Sequence, residues 1–438
     1  MIKNLASSVG WSLAAGLIER LLGVAQAFFI ARILGLEAFG TYGLIFATIA
    51  LFGSVIGLQL GLTASVNVAR WYAVDAIKTA SIIRLCNLTC LSLSSFAIAV
   101  SIVAPTEFAA FFLGSPERAA LFVLLTLFTG LSAFAGVQEG ILQGLGRHRL
   151  VASLRAVFSF ISLAIVIALA QAADLHSVMT ALTITIALKA LTSFAVTLTL
   201  TASYRVSWSW DDIWRERRLL VSFSAPAFLA SLVTGAVAWL GFFLVGQTAN
   251  GSRDLAILTA AQQWRGVAVQ ATSVSAGVIV PSMSRLIADG NARELSSVHR
   301  INQTANLAMA VLMTAFLALA TPLVLRAYGP GFEDGAILFW VAVTVTVPAT
   351  YANVVYQRLV SHQQLWRQLG FHLAHGVPFA LGCLAIVPTY GAQGLAIWAL
   401  LSMSILAFVL ARTEAPSIDE AAKTTRQDGP FDGSVRRI

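Results

Sequence analysis

The sequence predicts an all-α integral membrane protein of twelve transmembrane helices, arranged as two six-helix lobes that a parallel repeat relates. Three observations support this prediction. Charged residues are scarce along the whole chain, apolar stretches long enough to cross a bilayer recur twelve times, and a stretch of the first half recurs without gaps in the second half.

The composition excludes a large water-soluble domain. The chain has 438 residues, of which 58% are hydrophobic and 11% are charged, and its mean hydropathy is +0.81. Soluble domains average about 25% charged residues, so this chain has too few charges to cover a water-exposed surface. The net charge of +8 would favour a nucleic-acid partner only if the basic residues formed one patch. They are spread over alternate loops instead, so no nucleic-acid partner is expected.

Twelve segments satisfy the requirement for a membrane span, which is about 20 mostly apolar residues. Short connections, often marked by Gly or Pro, separate them. The first segment is too long for a signal peptide and carries Glu19 and Arg20 at its centre, so we expect it to be retained. The predicted spans are 8–34, 39–62, 78–104, 118–144, 149–171, 176–201, 218–246, 253–281, 301–326, 334–358, 366–388 and 391–412.

The distribution of Lys and Arg predicts the orientation, because cytoplasmic loops retain an excess of positive charge. With the amino terminus inside, 21 of the 28 Lys and Arg residues fall on the inner side and 4 on the outer side. The outer four are Arg32, Arg118, Arg253 and Arg326. We therefore expect both termini to be cytoplasmic.

The chain also contains an internal repeat. Residues 105–150 align without a gap onto residues 322–367 at an offset of 217, and ten of the 46 pairs are identical, roughly twice the level expected for apolar-biased sequence. The match equates helix 4 with helix 10, and a separation of six helices preserves orientation. This pattern is typical of transporters built from two parallel halves around a substrate site. Among the identities are Pro105/Pro322, Gly114/Gly331 and Ala119/Ala336.

The repeat divides the chain into an amino-terminal lobe at 1–204 and a carboxy-terminal lobe at 219–412. Between them, 205–218 contains three tryptophans and several arginines, which is typical of a helix lying in the membrane interface. The final segment, 413–438, is polar and rich in Asp, Lys, Arg and Gly, so we predict a disordered cytoplasmic tail.

Three cations are predicted near the middle of the membrane: Arg20 in helix 1, Lys189 in helix 6 and Arg265 in helix 8. Such a charge costs about 2.5–3.5 kcal/mol on insertion scales, so each should face a cavity or a partner. They outnumber the two acids at this depth, Glu19 and Glu139, and adjacent residues point about 100° apart on a helix. The surplus charge predicts a site for an anionic group, and the planar guanidinium suits phosphate. Alternatively, these cations bond helix carbonyls or the two glutamates.

The carboxylates have two interpretations. Glu139 could carry protons, but pairing with Arg147 or Arg149 at the end of helix 4 is favoured. Glu19 is the other carboxylate that could couple transport to an ion. Polar side chains near the mid-membrane charges need water or partners and are candidates for the same cavity: Gln26, Asn67, Gln138, Gln143, Gln262, Gln263 and Gln270.

Motifs for other chemistries are absent from the sequence. It has no Walker loop, no zinc motif and no nucleophile elbow, so an ATP-driven pump in one chain is excluded and no enzymatic activity or cofactor is predicted. His372 and His375 could share a face of helix 11, but further ligands are lacking, so no metal site is expected.

Several short motifs carry a family resemblance. Ala31–Gly43 reads ARILGLEAFGTYG, in which the first helix ends in A-R-x-L-G and a short loop leads to F-G. Gly140–Arg147 closes helix 4 with GILQGLGR, Ser224–Pro226 opens helix 7, and Tyr328–Phe332 connects helices 9 and 10 with YGPGF. In this order, over residues 5–412, the chain resembles the polysaccharide-export branch of the MATE-like superfamily of multidrug, oligosaccharidyl-lipid and polysaccharide exporters.

The resemblance implies two six-helix lobes around a central cavity that opens alternately to each side of the bacterial inner membrane. It implies a flippase for oligosaccharide linked to undecaprenyl pyrophosphate, such as an O-antigen or exopolysaccharide repeat unit. Cationic residues of helices 1 and 8 line the cavity in relatives that handle lipid pyrophosphate, and Arg20 and Arg265 occupy matching helices here. Polysaccharide polymerase and chain-length machinery are the partners that such a flippase implies.

Two other function classes remain open. A cation-coupled small-molecule or multidrug antiporter would share the topology, but such proteins usually depend on carboxylates, and only Glu19 and Glu139 lie at depth here. A membrane-embedded sugar polymerase or ligase usually carries a long external loop, and no predicted external loop exceeds about 15 residues.

Overall fold

The computed structural model describes residues 2–169, 174–202, 214–217, 219–220, 224–288, 291–362 and 364–427. This part of the chain folds into helices joined by short connections. In chain order the α-helices are α1 (Ile2–Gly57), α2 (Leu60–Trp71), α3 (Ala76–Val103), α4 (Pro105–Leu113), α5 (Ala119–Gly144), α6 (His148–Leu169), α7 (Leu175–Leu200), α8 (Ala225–Gly246), α9 (Gly251–Ala288), α10 (Ala292–Tyr328), α11 (Ala336–Thr344), α12 (Thr346–Ser361) and α13 (Leu365–Gln427).

These helices account for twelve crossings of the membrane. Among the described residues, nine helical stretches are long and apolar enough to span a bilayer. Two of them, in α1 and α13, contain a glycine with non-helical backbone, Gly35 and Gly391, at the predicted connections between spans. In addition, α9 is 38 residues long, well above the roughly 20 that a crossing requires. Counting α1 and α13 as two spans each, and including α9, confirms the predicted twelve-helix layout.

Contacts between connections confirm that alternate connections meet at the same end of the bundle. At the end that carries Gly35, called here the Gly35 end, Arg118 Nη2 donates to Thr41 Oγ1 at 3.4 Å and Arg32 Nε donates to the Ala327 carbonyl at 2.8 Å. Arg253 and Asp334 also form an ion pair there. The four arginines predicted on the outer side therefore share one end.

The opposite end, called here the Gly146 end, carries the other connections. Lys78 Nζ lies 3.9 Å from Glu216 Oε1, which joins the first turn of α3 to the segment between the lobes. The twelve-span topology assigns both the start of α3 and that segment to the inner side. The relative sidedness of the spans is thus internally consistent.

The internal repeat is visible in the backbone at matching positions. Gly114 and Gly331 both adopt positive φ, 72° and 85°, a conformation that favours glycine. A 3-10 turn follows each glycine, at Pro116–Arg118 and at Glu333–Gly335, and an α-helix begins at Ala119 and at Ala336. The same turn thus precedes α5 and α11, which begin the predicted spans 118–144 and 334–358, in the register that the offset of 217 predicts.

The two halves differ on either side of this turn. A break at Ala104 separates α3 from α4 before Pro105, whereas Pro322 lies inside the continuous helix α10. Conversely, α5 is continuous while its counterpart is interrupted between α11 and α12. The repeat therefore preserves the connection more closely than the helices that flank it.

Helix α1 joins the two lobes. In the described part of the chain it packs against α5 and α6 of the first half and against α8 and α9 of the second half. At the Gly35 end the approach is very close, because a Cβ on Gly40 would overlap the Ser252 carbonyl and a Cβ on Gly43 would overlap the Thr259 side chain. Aromatic rings seal the same region, with Phe39 packed against Tyr328 and Phe332. The lobes are thus tightly joined at this end.

Two boundaries differ from the sequence prediction, and a third segment lies largely outside the described residues. The second span does not end at 62: after left-handed Leu58 and Gln59, the chain continues as α2 to Trp71. Gln59 Nε2 donates to Ser231 Oγ at 2.6 Å, a contact that stabilises this strained break. Helix α13 extends to Gln427 beyond the predicted end at 412, while residues 428–438 lie outside the described part. Of the predicted interfacial linker, only residues 214–217 are described.

Candidate functional site

Adjacent charges on α1 face opposite lobes. Glu19 interacts electrostatically with Arg155 of α6 in the amino-terminal lobe. Arg20 faces α9, and its Nη1 lies 3.6 Å from the position that a Cβ would take on Gly266. Successive residues on a helix point about 100° apart, so α1 presents a carboxylate to one lobe and a guanidinium to the other.

A buried ion-pair network occupies the amino-terminal lobe. Glu139 Oε2 accepts hydrogen bonds from Arg155 Nε at 2.9 Å and Nη2 at 2.7 Å, and Glu139 Oε1 lies 2.7 Å from Lys189 Nζ. The Glu139 side chain is only 8% exposed. This carboxylate holds together α5, α6 and α7 and compensates two cations that would otherwise be costly to bury.

The prediction that Glu139 pairs with Arg147 or Arg149 is wrong, because its partner on α6 is Arg155. A sequence signal for this pairing exists. Positions 139 and 155 are equally far from residue 147, in the connection between α5 and α6. In an antiparallel helical hairpin, residues equidistant from the turn face each other, whereas Arg147 lies in the turn itself.

Lys189 was predicted to help bind an anionic substrate. The structure brings its ammonium to Glu139, with the Lys189 side chain 18% exposed. Glu19, Glu139, Arg155 and Lys189 together carry two negative and two positive charges, so the amino-terminal network is formally neutral. Lys189 is thus part of a neutral network, whereas Arg20 packs against α9 and Arg265 belongs to α9.

Arg265 lies in the carboxy-terminal lobe and lines a cavity of about 470 Å³. Its Nη1 donates to Gln262 Oε1 at 3.3 Å, while its buried Nε has no hydrogen-bond partner among the described residues. Gln262, Arg265 and Val269 all line the cavity, as the spacing of three and four along α9 predicts for one helical face. Gly266 lies on the adjacent face toward Arg20. The two arginines thus flank the same turn of α9, but Arg265 points into the lobe.

The other predicted polar residues have different surroundings. Gln26 Nε2 donates to Ser162 Oγ at 3.0 Å, which joins α1 to α6, and buried Asn67 donates to the Thr63 carbonyl one turn earlier. Both are satisfied by neighbouring protein groups. Gln138 Nε2 donates to Asn87 Oδ1 at 2.6 Å. Gln262 is exposed and accepts the hydrogen bond from Arg265.

Two histidines of α13, His372 and His375, share the cavity with Arg265. Their spacing of three residues places them on one face of the helix, as the sequence predicted. His372 Nδ1 lies 3.5 Å from Thr234 Oγ1, and His375 Nε2 lies 3.4 Å from Ser402 Oγ. Among the described residues, no group of three or more His, Cys, Asp or Glu side chains could hold a metal ion. The sequence identified the histidine pair but not its proximity to Arg265, because the two lie on different helices.

The fold of this chain matches that of solved membrane transporters of the MOP superfamily. The chain is similar to the inward-facing structure of a multidrug resistance MATE family transporter, with a TM-score of 0.76, 14% identity and coverage of 95% of this chain and 99% of that one. It is also similar to an outward-facing multidrug MATE structure, with a TM-score of 0.73, 14% identity and coverage of 94% and 96%.

A third similar structure is a MOP superfamily transporter from Pyrococcus furiosus, whose binding pocket is described as having reverse polarity that suggests a different function. Its TM-score is 0.73 at 14% identity, covering 95% of this chain and 96% of that one. Within this fold, the chain belongs to the family described as polysaccharide biosynthesis protein, whose match spans residues 5–287. No curated protein sequence matches the chain.

Proposed function

We propose that this chain translocates oligosaccharide linked to undecaprenyl pyrophosphate across the cytoplasmic membrane, by alternating access between its two lobes. The observation that carries the proposal is that two guanidinium groups lie beside the same turn of α9. Arg20 comes from the first lobe and Arg265 from the second. Membership of the polysaccharide biosynthesis family supports a substrate of this class.

The two guanidinium groups of Arg20 and Arg265 are physically suited to a pyrophosphate. A pyrophosphate that enters the membrane loses hydration, and fixed guanidinium groups compensate for that loss through charge-assisted hydrogen bonds. Because the two arginines belong to different lobes, movement of the lobes relative to each other would change the distance between them. Lys189 is not assigned to this site, because Glu139 holds its ammonium.

A cation-coupled multidrug antiporter is less well supported. Such a protein needs a carboxylate that can exchange its ion, and Glu139 is held by two cations at 2.7 Å. Among the described residues that line the carboxy-terminal cavity, none is Asp or Glu. The similarity to multidrug transporters extends to the fold, at 14% identity.

The orientation and boundaries belong to the same proposal. The excess of Lys and Arg at the Gly146 end favours a cytoplasmic location for that end and for both termini. The two lobes of the proposal are residues 1–204 and 219–412. The Gly35 end would then face the periplasm, where a polysaccharide polymerase would receive the sugar. Reporter fusions after Arg147 should be cytoplasmic and fusions near Asp254 external; the opposite pattern would reverse the assignment.

Substitution of Arg20 tests the proposed function. Lysine keeps the charge but loses the bidentate fork, so Arg20→Lys should retain part of the polymer export and Arg20→Ala should lose it. The measurement is surface polymer per unit of inserted protein in cells that lack the chromosomal gene. In cells that carry Arg20→Ala, undecaprenyl-linked oligosaccharide should also accumulate, as measured by lipid extraction, because it is not moved out of the cytoplasmic leaflet.

A double variant, Arg20→Ala with Arg265→Ala, provides the sharpest outcome. If the arginines only stabilise the helices, the variants will lower protein abundance while the inserted protein still exports polymer. Unchanged export per inserted protein in the double variant would contradict the proposal.

A further inference from the structure

The cavity beside Arg265 lies within the carboxy-terminal lobe, where α8, α9, α11, α12 and α13 enclose it. Its volume of about 470 Å³ falls in the range of small-molecule sites, about 300–1,000 Å³. The residues that line it all belong to this lobe. It is therefore distinct from the contact between α1 and α9 to which Arg20 belongs.

One part of the cavity is polar and lacks internal partners. The buried Arg265 Nε and the buried Tyr356 hydroxyl have no hydrogen-bond partner among the described residues. The His372 ring packs 4.5 Å from the Tyr356 ring, centroid to centroid. Buried polar groups in folded proteins nearly always have partners, so the orphaned donors of two residues that line one cavity favour an occupant that supplies acceptors.

The rest of the cavity is apolar. Val233, Phe379 and Leu395 are among the side chains that form this part of the wall, and none of the described lining residues is acidic. A metal cation or an organic cation would meet Arg265 without a compensating carboxylate. The lining matches a ligand with an anionic head and a hydrocarbon body.

The location of Arg265 connects this cavity with the proposed pyrophosphate site. The adjacent residue, Gly266, lies against the guanidinium of Arg20. A phosphate between these two arginines could extend an attached hydrocarbon chain past Arg265 into the lobe. The orphaned Nε would then donate to a phosphate oxygen.

We propose that this carboxy-terminal cavity binds an amphipathic phosphate, with its head group at Arg265 and Tyr356 and the first isoprenoid units of the lipid carrier in the apolar part. The identity of the carrier rests on the proposed function. The shared chemistry, a phosphate on a hydrocarbon chain, also occurs in bulk anionic phospholipid, so the test must separate the two sources.

Binding of farnesyl phosphate to the purified full chain in detergent tests the site. Ala238 and Ala399 line the cavity from α8 and α13 and are half-buried, so Ala238→Phe and Ala399→Phe should each fill it. Ala315→Phe, on the exposed side of α10, is the matched control. Each cavity-filling variant should weaken farnesyl phosphate binding by about tenfold or more, and Arg265→Gln should do the same through loss of a charged donor. The control should bind as the wild type does.

Three further probes separate the contributions of head and chain. Farnesol lacks the phosphate and should bind weakly. Inorganic pyrophosphate lacks the chain, so its binding should depend on Arg265 but be unchanged in Ala238→Phe. Dioleoyl phosphatidic acid represents bulk phospholipid, and if it competes as well as farnesyl phosphate, the assignment to the carrier is overturned.

Size-exclusion profiles and thermal unfolding establish that each variant is folded. Wild-type affinity for farnesyl phosphate in both folded cavity-filling variants would overturn the site itself. A different result would overturn only the proposed function. In that case polymer export would not require this protein, while farnesyl phosphate would still bind with the expected dependence on Ala238 and Arg265. Conversely, export that requires Arg265 with unchanged binding in Ala238→Phe would overturn only the cavity assignment.

Discussion

In the amino-terminal lobe, the buried carboxylate of Glu139 holds Arg155 and Lys189, and with Glu19 of α1 the four charges of this network cancel. In the carboxy-terminal lobe, Arg265 lines a cavity that has no acidic residue among its described lining. A buried charge that the protein itself neutralises is a structural element, and replacing one partner should cost stability. A buried charge that the protein leaves uncompensated is suited to a ligand, and replacing it should cost function.

Removal of the Glu139 carboxylate should have the largest effect. Glu139→Gln removes the carboxylate that both Arg155 and Lys189 contact, and breaking a buried pair in this way costs about 3–5 kcal/mol of folding free energy. We expect a large loss of folded protein, measured as thermal stability and monodispersity in detergent. The double variant Glu139→Gln, Lys189→Gln should recover part of the loss, and Arg265→Gln should lose little stability. Equal losses for Glu139→Gln and Arg265→Gln would remove the distinction between the lobes.

The second test compares stability and export between variants of two cations, Lys189 and Arg265. Lys189→Gln should destabilise the chain by about 1–3 kcal/mol, since Glu139 loses one of its two partners, but export per inserted protein should stay near the wild-type level. Arg265→Gln should show the reverse, with normal abundance and reduced export. If Lys189→Gln abolishes export without loss of stability, the amino-terminal network contributes to substrate binding after all.

The close approach of the two lobes at the Gly35 end can be tested with Gly40→Ala. A methyl group there would overlap the Ser252 carbonyl, and overpacking of this kind typically costs about 1–3 kcal/mol. Gly23→Ala on the same helix is the matched control, because nothing lies within 4 Å of its Cβ position; it should be neutral or stabilised by up to about 1 kcal/mol. Thermal stability of the two variants measures the difference, and similar values would show that the lobes are not tightly joined at this end.

An exposed carboxylate provides the smallest effect and a reference for Glu139. Asp174 caps α7, the helix that carries Lys189, and the hydrogen bond from the Ser177 backbone N–H holds the pKa of Asp174 below its usual range. A depressed pKa means that the carboxylate stabilises the fold above its unfolded pKa and that this contribution is lost as the pH falls through the folded pKa. Asp174→Asn, which still caps the helix, should change stability little at neutral pH and should reduce the decline between about pH 5 and pH 3. An unchanged acid profile would contradict the assignment.

Much of the fold could be predicted because membrane insertion depends on local composition. Spans of apolar residues, the asymmetry of Lys and Arg, and the offset of 217 are properties of the linear chain. The positive φ of both Gly114 and Gly331 confirms the predicted register of the repeat at the level of single residues. The break at Leu58 and Gln59 could not be predicted in this way, because the contact with Ser231 that accompanies it comes from the other half of the chain.

The site was predicted less completely. Arg20 and Arg265 were identified by their depth, and both lie beside the same turn of α9. Arg155 is one of the 21 Lys and Arg residues that the sequence assigns to the inner side, because it lies near the start of a span. Only its position opposite Glu139 shows that it belongs to the buried network.

By itself, the sequence determined the number of spans, their alternation between two ends, the repeat, and which ionisable residues lie within the membrane, because hydrophobic length and charge act locally along the chain. Only the tertiary structure decided which of those charges neutralise each other. That outcome depends on how each helix is rotated and on which neighbour it meets, so Lys189 pairs with Glu139 while Arg265 lines a cavity whose described lining residues include no Asp or Glu.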